Sequence, residues 1–181
     1  MKESLLLSGS GGQGIISGGF MLAESAVESD KHATFLPEYG PEQRGGSAQC
    51  TVTISDTEIL SPLVKKCSSL IAMNEQAYKK FYTNLKAGGL MIINANRVTS
   101  EVTRKDVKVL SIPCDDIAVE IGNPKIAIII MIGALLGASG ILSKEAFLSS
   151  IEQKFAEKKP EVMEMNAIAL QKGIDIGKQS L

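Results

Sequence analysis

Six residues, Gly9-Ser10-Gly11-Gly12-Gln13-Gly14, satisfy G-x-G-x-x-G. They follow the apolar run Ser4–Ser8 and precede Ile15, Phe20, Leu22, Ala23, Ala26 and Val27, which recur near helical spacing. Strand, glycine turn and helix N-terminus in that order form an anion trap. The glycines permit the turn and a close approach, while unpaired N–H groups and the helix dipole favour phosphate or carboxylate. The same glycines would serve equally for close packing of helix on sheet. A dinucleotide site also needs an acid at the end of the following strand to hold the ribose. Asp30 precedes that strand and Glu38 sits late, between two prolines, so an NAD-binding reading lacks a well-placed partner.

A second segment, Pro37-Glu38-Tyr39-Gly40-Pro41-Glu42-Gln43-Arg44-Gly45-Gly46, sets polar groups in a frame of prolines and glycines. Arg44 beside two glycines offers a planar fork and exposed backbone donors, suited to a phosphate, a carboxylate or an acidic residue of a partner. As a plain connector the loop would instead pair Arg44 with Glu38 or Glu42. Loops held by proline and glycine commonly carry function, which favours a site or interface. The candidate binding residues are therefore Gly9, Ser10, Gly11, Gly12, Gln13, Gly14, Tyr39, Arg44, Gly45 and Gly46, with no catalytic and no metal-ligating residue.

Other chemistries are excluded by what is scarce. Cys50, Cys67 and Cys114 are far apart and make no C-x-x-C spacing, so an iron–sulfur or zinc site held by this chain alone is not expected. The single histidine, His32, cannot build a metal site or a convincing nucleophilic triad. Nineteen basic and twenty acidic residues leave a net charge of −1, which provides no field for nucleic acid or an anionic membrane. The N-terminal apolar run is too short for a signal peptide, and a cytoplasmic location is expected.

The elements that must position these residues read as one α/β domain over 1–181. Ala33–Leu36 is a strand stopped by Pro37. Cys50, Val52 and Ile54 alternate toward a Ser55-Asp56 turn and a short return strand Glu58–Leu60, a hairpin that makes the sheet mixed. Ser68–Met73, Leu90–Ile93 and Val107–Ile112 are strands, and Glu75–Leu85 is a helix stopped by Gly88-Gly89. Strands alternating with helices predict a three-layer Rossmann-like fold with one hairpin and a helical C-terminal part. In that part Asn123-Pro124 and Ser143 are caps, and Pro160 opens the last helix. Ile126–Ser143 carries no charge, but its helix, Pro124–Ser139, would be about 24 Å long, short of a bilayer core. No membrane span is expected; Gly133-x-x-x-Gly137 instead predicts close packing in the core or between subunits.

Several of these motifs together resemble the gamma subunit of 2-oxoacid:ferredoxin oxidoreductases. They are Gly11-Gly12-Gln13-Gly14, Tyr39-Gly40-Pro41-Glu42-x-Arg44-Gly45-Gly46, Ser61-Pro62, Ile121-Gly122-Asn123-Pro124-Lys125, Gly133-Ala134-Leu135-Leu136-Gly137 and Lys159-Pro160-Glu161-Val162. The likeness runs from about Leu5 to Gly177. Lys65-Lys66-Cys67-Ser68-Ser69 departs from the pattern, since relatives often carry an Asp before that apolar strand. The resemblance implies a multisubunit enzyme in which alpha, beta and ferredoxin-like delta subunits accompany this chain. Such an enzyme decarboxylates a 2-oxoacid on thiamine diphosphate and magnesium, sends electrons through iron–sulfur clusters to ferredoxin or another acceptor, and forms an acyl-CoA. This chain has neither cluster cysteines nor the Gly-Asp-Gly segment that holds thiamine diphosphate, so those cofactors are expected on other subunits and the chain is expected to be inactive alone. Its glycine and Arg44 loops would face coenzyme A or a neighbouring subunit. 2-Oxoglutarate is the first expectation for the substrate; pyruvate and branched-chain 2-oxoacids are the alternatives. A purely assembling subunit and a stand-alone nucleotide binder are the rival classes.

Overall fold

The computed structural model describes residues 1–40 and 46–179. Six strands form one sheet: β1 (Lys2–Ser10), β2 (His32–Tyr39), β3 (Ser47–Ser55), β4 (Cys67–Ala72), β5 (Leu85–Asn94) and β6 (Lys108–Ile112). Their order is β2-β3-β1-β4-β5-β6. β1, β4, β5 and β6 run parallel, and β3 lies antiparallel between β1 and β2. The sheet is therefore mixed, as an antiparallel hairpin within it requires and as the sequence leads one to expect.

The antiparallel hairpin is not the expected one. It joins β2 to β3, pairing His32 with Ser55 and Tyr39 with Ala48, while Glu58–Leu60 forms no strand. The reason lies in the sheet: β3 already has neighbours on both sides, so a return strand after Ser55 has no edge to join. Pro37 does not end its strand either. β2 is an edge strand, one side of its backbone needs no partner, and a residue without N–H is tolerated there. Gly88-Gly89 lies inside β5, where the β4–β5 register shifts between Cys67 and Ser69, and so marks a bulge rather than a helix stop.

Helices cover both faces. α1 (Ile15–Glu28), α3 (Cys114–Ile121), α4 (Ala127–Ser139), α5 (Lys144–Lys154) and α6 (Pro160–Gln179) pack around the larger core, which includes Leu5, Leu7, Val52, Ile71 and Ile92. α2 (Glu75–Phe81) covers the other face, where Leu6, Leu70 and Met91 meet Tyr78 and Phe81. Strand alternation divides the residues between the faces: Leu5 and Leu7 go one way, Leu6 the other. α4 is the central helix, buried without a break from Ala127 to Leu136. No helix among the described residues is long and apolar enough to cross a membrane. The Gly133-x-x-x-Gly137 motif packs within the chain, against Gly173 and Ile174 of α6. The predicted caps are present: Ser143 Oγ accepts from Ala146 N at 3.1 Å, Asn123 Oδ1 accepts from Lys125 N at 3.0 Å, and Pro160 opens α6.

A tie at the start of α2 gives a pH-dependent contribution. Glu75 accepts from the Ser100 hydroxyl, from Thr99 N at 2.8 Å and from Ser100 N at 3.2 Å, and pairs with Lys79 at 2.9 Å. These partners, the Ser100 hydroxyl foremost, pull its carboxyl down from 4.5 to about 2. Because the folded value is depressed, the stabilisation is complete above the unfolded value and fades as pH falls toward the folded one. The wild-type advantage over Glu75→Gln in melting temperature should be full at pH 6 and shrink steadily between pH 4.5 and 2. An advantage that does not change with pH would show that the tie lacks an ionic component.

Candidate functional site

β2 runs parallel to β1 with β3 between them, so the carboxyl ends of β1 and β2 and the amino end of β3 share one edge of the sheet. Register makes this concrete: Ser47 faces Ser10 on one side, and Ala48 faces Tyr39 on the other. The glycine loop and both ends of the Pro37–Gly46 segment are thereby brought together, although they lie some thirty residues apart in sequence. Gly11 N donates to Gly46 O at 2.8 Å, and Gly40 N to Ser47 O at 2.8 Å.

A cavity of about 480 Å³ lies at this junction. Ser10, Gly11, Gly12 and Gly14 line it together with Tyr39 and Gly46. Ile15, Ile16, Ser17, Ser47 and Ala48, which the sequence pattern does not single out, complete the wall. Gly9 lies below the loop within β1, where a Cβ would meet Met73 Cβ at 2.9 Å. Gln13 turns away from this cavity. Its Oε1 accepts from Ser10 N at 2.7 Å and its Nε2 reaches Met73 O at 3.5 Å, while Asn74 Nδ2 donates to Ser10 Oγ at 2.8 Å. Arg44 and Gly45 lie outside the described residues.

The loop amides divide into two groups. Those of Ser10, Gly11 and Gln13 are occupied by Gln13 Oε1, Gly46 O and Ser10 O. Those of Gly14, Ile15, Ile16 and Ser17 donate to no described group, as the first turn of a helix requires when nothing caps it, and neither does that of Gly12 in the turn before it. The capping position is Gly14 at φ +76°, which has no side chain to accept, and the first turn of α1 carries no acid. Gly12 at φ +92° has open space where a Cβ would stand, whereas a Cβ on Gly14 would meet Ile128 Cγ2 at 2.9 Å. Gly12 thus fits close approach by a ligand, and Gly14 fits close packing against α4.

α1 and α2 leave neighbouring strands β1 and β4 toward opposite faces, which opens a crevice at the strand ends. Around it the structure adds residues the sequence pattern does not mark. Arg97 pairs with Asp115 beside Gly12, Gln13 and Lys125, in a smaller cavity of about 150 Å³. Neither acid considered for a ribose is in place. Glu38 accepts from Gln49 Nε2 at 2.8 Å and lines a separate cavity with Thr51 and Lys65. Asp30 sits in the turn before β2, at the opposite end of the sheet.

The three cysteines lie in β3, β4 and α3. Burial pushes their thiols up to about 12 for Cys50, 11 for Cys67 and 12 for Cys114. Among the described residues no group of three or more His, Cys, Asp or Glu is placed to hold a metal ion. These donors do not fit an iron–sulfur cluster or the magnesium of thiamine diphosphate.

Residues 4–176 match the family model described as pyruvate ferredoxin/flavodoxin oxidoreductase. The chain is 38% identical to the 2-oxoglutarate synthase subunit KorC of Methanocaldococcus jannaschii, across 99% of this chain and 96% of that protein. It is 30% identical to the pyruvate synthase subunit PorC of Thermotoga maritima, across 92% and 90%. The crystal structure of the gamma subunit of a keto/oxoacid ferredoxin oxidoreductase from Geobacter sulfurreducens superimposes with a TM-score of 0.86 at 27% identity, over 99% of this chain and 98% of that one. End-to-end agreement in both sequence and fold leaves no part of the chain to another family: it belongs to the pyruvate ferredoxin/flavodoxin oxidoreductases, as a gamma-type subunit of a 2-oxoacid:ferredoxin oxidoreductase.

Proposed function

We propose that this chain is the gamma subunit of a complex that oxidatively decarboxylates 2-oxoglutarate, and that its glycine loop and the Tyr39–Gly46 segment face coenzyme A. In that reaction the 2-oxoacid and coenzyme A give an acyl-CoA, carbon dioxide and a proton, with two electrons passing to ferredoxin. The carrying observation is the cavity in which the uncapped amides of α1 meet Tyr39 and Gly46, with no carboxylate among the described residues of its wall. An anionic co-substrate fits such a wall, and the phosphates of coenzyme A would accept from the Gly12, Gly14 and Ile15 amides. Thiamine diphosphate, magnesium and iron–sulfur clusters belong in this reading to alpha, beta and ferredoxin-like delta subunits. The choice of 2-oxoglutarate rests on the likeness to KorC.

An assembling role accompanies this one. Leu60 and Leu63, 91% and 77% exposed in the irregular segment between β3 and β4, present apolar surface that suits contact with another subunit.

Reconstitution tests the proposal. The isolated chain, prepared anaerobically, should contain no iron and reduce no ferredoxin; with the other three subunits it should restore 2-oxoglutarate-dependent, coenzyme A-dependent ferredoxin reduction. Stoichiometric iron in the isolated chain, or a complex lacking it that uses coenzyme A with an unchanged KM, would refute this role.

A further inference from the structure

Charge is unevenly placed along a chain that is nearly neutral as a whole. Residues 57–110 hold nine basic and four acidic residues, against ten and sixteen in the rest. The fold gathers this basic excess on one edge of the sheet. Lys65 and Lys66 lead into β4, Lys86 is the second residue of β5, Arg104 and Lys105 precede β6, and Lys108 opens it. Because β1, β4, β5 and β6 run parallel, these six stand at the amino edge, a strand's length from the glycine loop at the carboxyl edge. Neighbouring strands lie about 4.8 Å apart, so the charges share a front roughly 10–15 Å wide.

Little within the chain neutralises that front. Arg104 pairs with Asp106 and donates to Tyr82 O at 2.9 Å and Leu85 O at 2.7 Å, which fixes the approach to β6. Asp106 is held below the usual carboxylate range by Arg104 foremost, and Lys66 adds to the effect, so Lys66 stands within electrostatic reach of the pair. Lys65, Lys66, Lys86, Lys105 and Lys108 are exposed and form no ion pair among the described residues. Charges of one sign held this close repel one another, and an acidic surface laid over them relieves the repulsion.

Apolar surface adjoins the same edge. Ser55 faces Lys2 across the sheet, so the segment 56–66 both leaves β3 and enters β4 here, and it carries Leu60 and Leu63. Exposed aliphatic side chains bordered by charge have the anatomy of a protein interface, an apolar centre within a polar rim. A nucleic acid suits this edge less. The exposed aromatic rings that could stack on bases, Phe20 and Tyr39, lie on α1 and β2, and the acids elsewhere in the chain repel a polyanion. A second copy could cover the edge only with its own acidic remainder, a head-to-tail contact that runs on into filaments unless it closes a ring.

We propose that the amino edge of β4, β5 and β6, together with the segment 56–66 beside it, docks the acidic face of another subunit of the complex. This rests on the assembling role given above and adds to it the place and the charge of the contact. Opposite charges steer the encounter and fix its register, while Leu60 and Leu63 hold the contact once it is made.

The test is a titration of the full chain against the other subunits at about 50 and about 500 mM salt. Lys66→Glu, Lys86→Glu and Lys108→Glu together should weaken binding roughly 10- to 100-fold at the lower salt, and much less at the higher, where screening has already removed most of the attraction. The three side chains are exposed and unpaired, so the melting temperature should not fall, and the KM for coenzyme A of the fully assembled complex should stay unchanged. Lys154→Glu, Lys159→Glu and Lys178→Glu together make the same change of charge around α5 and α6, and should leave the affinity near that of the wild type. If the edge reversal does not fold, Lys66→Gln, Lys86→Gln and Lys108→Gln together are judged by the same criteria. Unchanged affinity in the edge variant, or equal weakening by both sets, overturns the proposal. So does salt-sensitive self-association of the wild-type chain that the edge variant abolishes, which would make the partner a second copy. If Leu60→Ser with Leu63→Ser weakens binding and the edge variant does not, only the charged contact is wrong; if neither weakens it, the assembling role falls as well.

Discussion

Gly173→Val should cost the protein about 3 kcal/mol or more, and lower its melting temperature by roughly 6–12 °C. A Cβ at Gly173 would stand 2.1 Å from Ile130 O and 2.9 Å from Gly133 Cα. At Gly177 it would stand 2.2 Å from Ala134 O, and at Gly137 2.2 Å from Ile174 O. All of these obstacles are backbone atoms, so no side-chain rotation relieves them and the helices must separate. Separation opens space beside α4, whose residues 127–136 are all buried, and each lost methylene contact adds to the cost. Gly140→Ala is the control. Nothing lies within 4 Å of a Cβ there, and only the φ of +63° opposes it, for a cost of about 1 kcal/mol. Thermal unfolding followed by circular dichroism measures both. If Gly173→Val melted with Gly140→Ala, the close approach of α4 and α6 would not be what secures the C-terminal half.

The glycines of α4 were legible as a close-packing device because small residues four apart on a wholly apolar helix have few other uses. Their partner was not, since Gly173 and Gly177 lie some forty residues on, in a helix of mixed polarity. The same limit governs the hairpin. Alternation at Cys50, Val52 and Ile54 locates a strand, but which neighbour it takes depends on sheet order, and sheet order is a property of the whole chain. Pro37 reads as a terminator until β2 is known to lie at an edge, and Gly88-Gly89 reads as a helix stop until β5 is seen to carry a bulge.

For the candidate site, the local half was visible and the assembled half was not. Strand, glycines and helix in succession announce an uncapped helix N-terminus, because every relevant contact is within a few residues. That Tyr39 and Gly46 stand beside it follows only from β3 pairing with both β1 and β2. Lys125 reaches the same region through the packing of α4.

Arg44→Ala, in the reconstituted complex, should raise the KM for coenzyme A by roughly 10- to 150-fold, the equivalent of about 1.5–3 kcal/mol for a charge-assisted hydrogen bond. Tyr39 and Gly46, which flank the stretch of sequence that carries Arg44, both line the glycine-loop cavity proposed as the phosphate site. A guanidinium satisfies two acceptors at once and keeps its charge at every accessible pH, whereas Glu42 in the same segment would repel a phosphate unless turned away or paired. Arg44→Lys preserves the charge without the planar fork and should fall between the two. Subunit titration separates site from scaffold: weaker assembly with unaltered coenzyme A use would make Arg44 an interface residue. A lower melting temperature with unchanged kinetics and assembly would make it a tie within the chain. Arg44→Ala combined with Gly12→Ala should cost less than the sum of the two single changes if the Arg44 side chain and the α1 amides act on one phosphate, and their full sum if they act on separate groups.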